Sequence, residues 1–138
     1  MSDNWVNDIE NMHRKFGVHE WMDKNKDNKE LMKKFLHFRM KFLMEEMNET
    51  EVKGVMDKNE EEIVDGLIDL CVVAIGTLDA FGVDATAAWN AVHNANMAKE
   101  PGVKATRPNP LGMPDLIKPE GWEGPSHKGN YGLFPNAL

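Results

Sequence analysis

The stretch "NEEEIVDGLIDLCVVAIGTLDA", Asn59 to Ala80, decides the fold. Ile63, Val64, Leu67, Ile68, Leu70, Cys71, Val72, Val73, Ile75 and Leu78 recur at helical intervals and cover nearly the whole circumference, which predicts a central helix. Its β-branched residues lie inside this long helical pattern, and period-two alternation is absent, so strands are not expected. The most apolar run, Leu70 to Leu78, falls short of the roughly 18 residues that a membrane span needs.

Helical spacing extends on both sides. Leu31, Phe35, Phe38, Phe42 and Met47 predict a helix running to about Glu49, and Trp5, Ile9, Met12 and Phe16 predict an earlier one stopped by Gly17. The polar stretch "DKNKDNKE" separates these two. Beyond a break at Gly82, Asp84 can cap a fourth helix carrying Trp89, Val92 and Met97. The expected fold is therefore all-α, an antiparallel bundle of about four helices over residues 1–100.

Residues 101–138 form an irregular tail that holds all seven prolines and six of the eleven glycines. Trp122, Tyr131 and Phe134 are unusual in a flexible linker, so the tail is expected to pack on the helical core or a neighbouring subunit. A helix apolar on all faces needs more cover than a few short neighbours supply, which predicts completion of the bundle by homo-oligomerisation.

The formal charge of −7 argues against a partner that is a nucleic-acid polymer, though a small phosphorylated ligand can meet an acidic site through divalent cations. The lone Cys71 rules out an intrachain disulfide and reads as a buried thiol in a reducing compartment. The first residues lack the apolar core of a signal peptide, and no membrane partner is expected. These features together predict a cytoplasmic protein.

The acids divide into two sets. Glu46 and Glu49 share one helical face with Glu45, four before Glu49, along a neighbouring edge, and Glu62 and Asp65 share a face of the next helix, with Asp69 a turn further on. Most charge runs are solvated faces, and Glu51, Asp57, Glu60 and Glu61 fit that reading. Asp65 and Asp69 sit in "IVDGLIDLCVV", where burial of a carboxylate demands a partner, yet Lys and Arg are absent from Asn59 to Ala98. Either Arg39 and Lys41 supply salt bridges or a hard divalent cation supplies the charge.

Other motifs fail. "DKNKDNKELMKK" begins like a calcium loop, but Asn28 replaces the turn glycine and Lys34 the closing glutamate. Only Glu10 with His13 fits the Glu-x-x-His pairing of a di-iron bundle, and there is no Walker loop, dinucleotide fingerprint or zinc spacing. His93 reads as a packing or exposed residue at least as well as a general base.

With "EEMNE" at Glu45–Glu49 and "EIVD" at Glu62–Asp65, twelve residues apart, the chain resembles the all-α nucleoside triphosphate pyrophosphohydrolases of the MazG type. Their signature is Glu-Glu-x-x-Glu followed by Glu-x-x-Asp. "DLCVVAIGTLDAFGVD" and "WNAVHNANMAK" look like the third and fourth helices of the branch near phosphoribosyl-ATP pyrophosphohydrolases. "KPEGWEGPSH" looks like a closing segment of small, often phage-encoded members, so that the resemblance covers about residues 30–127.

The resemblance implies hydrolysis of (deoxy)nucleoside triphosphates between the α and β phosphates, giving monophosphate and pyrophosphate. By matching positions it implies that Glu46, Glu49, Glu62 and Asp65 bind Mg²⁺, or Mn²⁺ in its place, and that Glu45 positions or deprotonates the attacking water. It implies sugar or phosphate contacts from Asn96 and Lys99, with Arg39 either reaching the triphosphate or bracing the acidic helix. Trp89 or Trp122 as a base platform competes with a packing role for each. A homodimer or homotetramer is implied as well. The alternatives are phosphoribosyl-ATP hydrolysis and, from another class, a non-catalytic helical interaction module.

Overall fold

The computed structural model describes residues 2, 4–104, 106, 111–113 and 115–138. The remaining tail positions, 105, 107–110 and 114, lie outside the described residues. The helices are α1 (Trp5–Lys15), α2 (Val18–Asn25), α3 (Lys29–Glu49), α4 (Glu60–Ala80) and α5 (Ala85–Met97). The chain gathers into two compact units, Met1–Ala85 with Tyr131–Leu138, and Thr86–Asn130.

In the first unit, three helices start after an asparagine whose side chain accepts the backbone N–H of the third helical residue. Asn4 caps α1, Asn28 caps α3 and Asn59 caps α4. Asn28 lies inside the polar "DKNKDNKE" stretch, whose first three residues belong to α2 and last two to α3. Helix α2 was not expected from the sequence. Gly17 does stop α1, but its left-handed φ of +79° also starts α2, whose Met22 is buried with Val18 packed beside it.

The core of this unit is formed by Met22, Met32, Ala80, Phe81 and Ala137, with Leu31, Phe35, Leu36, Leu133 and Phe134 against it. The chain end is part of it. A 3₁₀ turn over Phe134–Ala137 stacks Phe134 on Phe81 at 4.5 Å between ring centres, and the Asn136 side-chain amide donates to the Lys26 carbonyl at 2.9 Å. Gly132 (φ +54°) makes the approach possible, since a Cβ there would stand 2.1 Å from the Phe81 carbonyl oxygen.

The inner face of α3 differs from the expected stripe. Leu31, Phe35, Leu36 and the buried Met32 turn inward, whereas Phe38 and Met47 are 60% and 63% exposed. Helix α4 is likewise less enclosed than expected in this single chain. Its second half buries Val73, Gly76, Thr77 and Ala80, while Val64, Leu67 and Ile68 in its first half are exposed.

The second unit holds α5 and a two-stranded antiparallel ribbon, β1 (Glu100–Gly102) with β2 (Asp115–Ile117), in which Pro101 faces Leu116. No strand was expected here, since period-two alternation is absent. Gly102 leaves room for the Ile117 side chain, whose Cδ1 would stand 2.7 Å from a Cβ placed there. Trp122 ties the following loop to α5 by donating its indole N–H to the Ala95 carbonyl at 2.8 Å. Among the described residues, no single helix is long and apolar enough to cross a membrane.

Candidate active site

The two acidic segments are joined by a turn whose geometry sets their register. After Glu49 the chain widens into a π-helix over Thr50–Met56, with Asp57 N–H to the Val52 carbonyl and Asn59 N–H to the Gly54 carbonyl spanning five residues. Such widened turns accumulate at functional sites. Lys58 then takes a left-handed φ of +54° and Asn59 opens α4. Thr50 is buried, its hydroxyl donating to the Glu46 carbonyl at 2.8 Å, and it lies against Gly66 of α4. The end of α3 is thereby pressed onto α4 beside Asp65.

Glu46 occupies the centre of the resulting charge cluster. Its carboxyl is held above the ordinary carboxylate range, first by desolvation and then by the negative charges of Asp69, Glu49, Asp65 and Glu45. The residues of both helices therefore converge electrostatically on one group. Glu62 is outside the set felt by Glu46, but it shares a face of α4 with Asp65, one turn away. Asp69, given no metal role by the signature, heads the charges acting on Glu46.

The salt-bridge explanation of these acids does not survive. Arg39 turns into α4, where its Nε donates to the Thr77 hydroxyl at 3.0 Å and a terminal nitrogen to the Val73 carbonyl at 3.1 Å. These contacts tie α3 to α4. Among the described residues, Lys53 with Glu49 at 3.6 Å is the sole ion pair to any carboxylate of the cluster, and it is exposed. Asp65 is itself exposed rather than buried as the apolar context suggested, because the first half of α4 is only partly covered.

An oxygen-only donor set carrying this much uncompensated charge fits a hard divalent cation, which takes carboxylate oxygens and retains waters. The carboxylates are splayed, however. Among the described residues, the group of metal-ligating side chains whose donor atoms lie within 4.8 Å of one another is a different one, His13, His19 and Asp79.

That second cluster was missed by sequence reasoning, which considered His13 only as a partner of Glu10. One oxygen of Asp79 meets His13 Nδ1 and His19 Nε2, each at 2.7 Å. Burial keeps the His13 pKa below the ordinary histidine value despite the opposing pull of Asp79. The partners lie 60 and 66 residues from Asp79, so only the acid in the apolar "GTLDA" hinted at them.

Asn96 and Lys99 belong to the second unit. The Lys99 and Lys118 ammonium groups stand 5.3 and 5.0 Å from the Trp122 ring centre, a cation–π arrangement that gives this tryptophan a packing role. A cleft of about 580 Å³ in the same unit is lined by Asn94, Ala95, Trp122 and the Pro119–Ser126 loop, and neither Asn96 nor Lys99 lines it. Trp89 is exposed and His93 lies on the exposed part of α5.

No curated protein and no solved structure matches the chain. The family model for phosphoribosyl-ATP pyrophosphohydrolase matches residues 12–96, which takes in α2 to α4, both acidic segments and most of α5. That match spans more than half of the sequence, and the chain belongs to the phosphoribosyl-ATP pyrophosphohydrolase family of MazG-like nucleotide pyrophosphohydrolases.

Proposed function

We propose that the protein is a Mg²⁺-dependent nucleotide pyrophosphohydrolase that cleaves (deoxy)nucleoside triphosphates between the α and β phosphates. The observation carrying this reading is the convergence of Glu45, Glu49, Asp65 and Asp69 on Glu46 without a cation to offset them beyond the exposed Lys53. Glu46, Glu49, Glu62 and Asp65 hold the metal, and Asp69 adds to their field. Bound there, Mg²⁺ or Mn²⁺ neutralises polyphosphate charge and acidifies water. Glu45, exposed at the edge of the cluster, orients the attacking water and takes its proton. Water attacks the α phosphorus, the bond to the bridging oxygen breaks, and pyrophosphate leaves. Asn96 and Lys99 contact sugar or phosphate, and Arg39 braces α3 against α4.

Phosphoribosyl-ATP is the second substrate reading, favoured by the family match, and its hydrolysis breaks the same bond. A pyrophosphate-release panel of ribo- and deoxyribonucleoside triphosphates together with phosphoribosyl-ATP, in Mg²⁺, Mn²⁺ and EDTA, separates the two. Release from triphosphates in Mg²⁺, abolished by EDTA, is the expected result. Release from phosphoribosyl-ATP alone selects the second substrate, and release from none returns the chain to a helical interaction module.

The same reading includes a homodimer or homotetramer. Phe38, Met44, Met47, Val64 and Leu67 are each more than half exposed on the two helices that carry the acids, a display of large apolar side chains suited to burial against another copy. Sedimentation equilibrium is expected to give twice or four times the 15.6 kDa chain mass. A Leu67→Glu change is expected to shift it toward the monomer.

A further inference from the structure

The His13–His19–Asp79 cluster is not used by the proposed reaction and lies well away from it. Asp79 is fourteen positions beyond Asp65 on α4, about 21 Å along the axis at the helical rise. The three side chains come from α1, α2 and α4, with His13 and Asp79 side chains 7% and 14% exposed and that of His19 34% exposed. Two ligands are thus sheltered, and the third stands at the surface where an ion can enter. The edge of His13 carrying Nε2 packs at Gly76 beside the Arg39 guanidinium, while Nδ1 is turned to Asp79.

Two imidazoles and one carboxylate make a donor set of different character from the acidic face. Nitrogen ligands favour borderline dications such as Zn²⁺ over Mg²⁺, which prefers oxygen. The donor atoms already lie within 4.8 Å of one another. Tetrahedral ligands at ordinary zinc bond lengths stand roughly 3.3 Å apart, so the contacts at 2.7 Å need to open by only about half an ångström. Metal binding requires neutral imidazole, and the burial of His13 favours that form.

We propose that His13 Nδ1, His19 Nε2 and an Asp79 carboxylate oxygen form a three-ligand site for Zn²⁺ or a similar transition-metal dication, the fourth position being left to solvent. Without metal, the two ring N–H groups donate to Asp79. On binding, each ligating nitrogen gives up its proton to the other ring nitrogen or to solvent, and hydrogen bonds are replaced by coordination. The site clamps α1 and α2 onto α4, and the inference does not rest on the reading of the acidic face.

The test is calorimetric titration of the chain with ZnCl₂ in saturating Mg²⁺, so that oxygen-rich sites are occupied. One Zn²⁺ per chain is expected, with a rise in Tm, and Co²⁺ in its place should develop the visible absorption of an imidazole-bound ion. His19→Ala should weaken the Zn²⁺ affinity at least tenfold while leaving Mg²⁺-dependent pyrophosphate release unchanged, and Asp79→Asn should weaken it similarly. A Glu49→Gln/Asp65→Asn background should retain the Zn²⁺ site. Absence of Zn²⁺ binding to the wild type, or equal affinity in His19→Ala, overturns the proposal. His19 is partly exposed, so its variant decides the matter even if Asp79→Asn does not fold.

Discussion

Glu49→Gln and Asp65→Asn are each expected to lower Mg²⁺-dependent pyrophosphate release by about a hundredfold or more, on the scale seen when one charge-stabilising group is removed from a reacting centre. Both side chains are exposed and neither contributes to the core, so an amide of the same size changes charge and metal affinity rather than packing. Stability should move the other way at Glu46. Its raised pKa means that the folded chain binds this proton more tightly than the unfolded chain, so ionisation costs stability as pH rises through the folded pKa. That cost is absent below the unfolded pKa and complete once the pH lies above the folded one. Glu46→Gln removes it, and the metal-free protein should melt at a slightly higher temperature than wild type.

The same variant should lose most of the rise in Tm that Mg²⁺ gives the wild type, because the cation stabilises by binding the folded cluster. Thermal melts of wild type and the three variants, each with and without Mg²⁺, check both signs at once. Activity and Mg²⁺-induced stabilisation that persist in all three would remove the acidic face from the mechanism. The combination of lower activity with unchanged or higher metal-free stability is what distinguishes a functional cluster from a structural one.

The parts of this arrangement that were legible in the sequence are the local ones. Glu46 and Glu49 share a face through spacing alone, with Glu45 along a neighbouring edge, as do Glu62 and Asp65, and α4 announces itself through a long apolar helical run. Misreadings arise where tertiary partners decide. Phe38 and Met47 continue the α3 stripe in sequence, but the surface that α3 meets in this chain takes Met32 and Leu36 instead. Helix α2 was hidden because Gly17 serves two helices, and the ribbon because three-residue strands are too short to show alternation. The bracing role of Arg39 and the meeting of His13 and His19 at Asp79 depend on contacts across 34 to 66 residues, beyond the reach of any spacing rule.

Gly66→Ala should destabilise the protein although it replaces a glycine in the interior of a helix, where the change normally stabilises by about 1 kcal/mol. A Cβ on Gly66 would lie 2.0 Å from the Thr50 hydroxyl oxygen and 2.9 and 3.0 Å from its Cβ and Cγ2. Thr50 has no room to yield: it is β-branched, buried, and tied through its hydroxyl to the Glu46 carbonyl. The helices must therefore part. Overpacking of this kind costs about 1–3 kcal/mol, which outweighs the propensity gain at its upper range and predicts a Tm lower by several degrees. Separation of α3 from α4 at this point also moves Glu46 away from Asp65 and Asp69, so pyrophosphate release should fall further than the loss of folded protein explains. Thr50→Ala in the same chain removes two of the three clashing atoms and should recover part of both losses. A Gly66→Ala protein that melted higher than wild type and kept full activity would show that the close approach of Thr50 to α4 does not set the geometry of the acidic face.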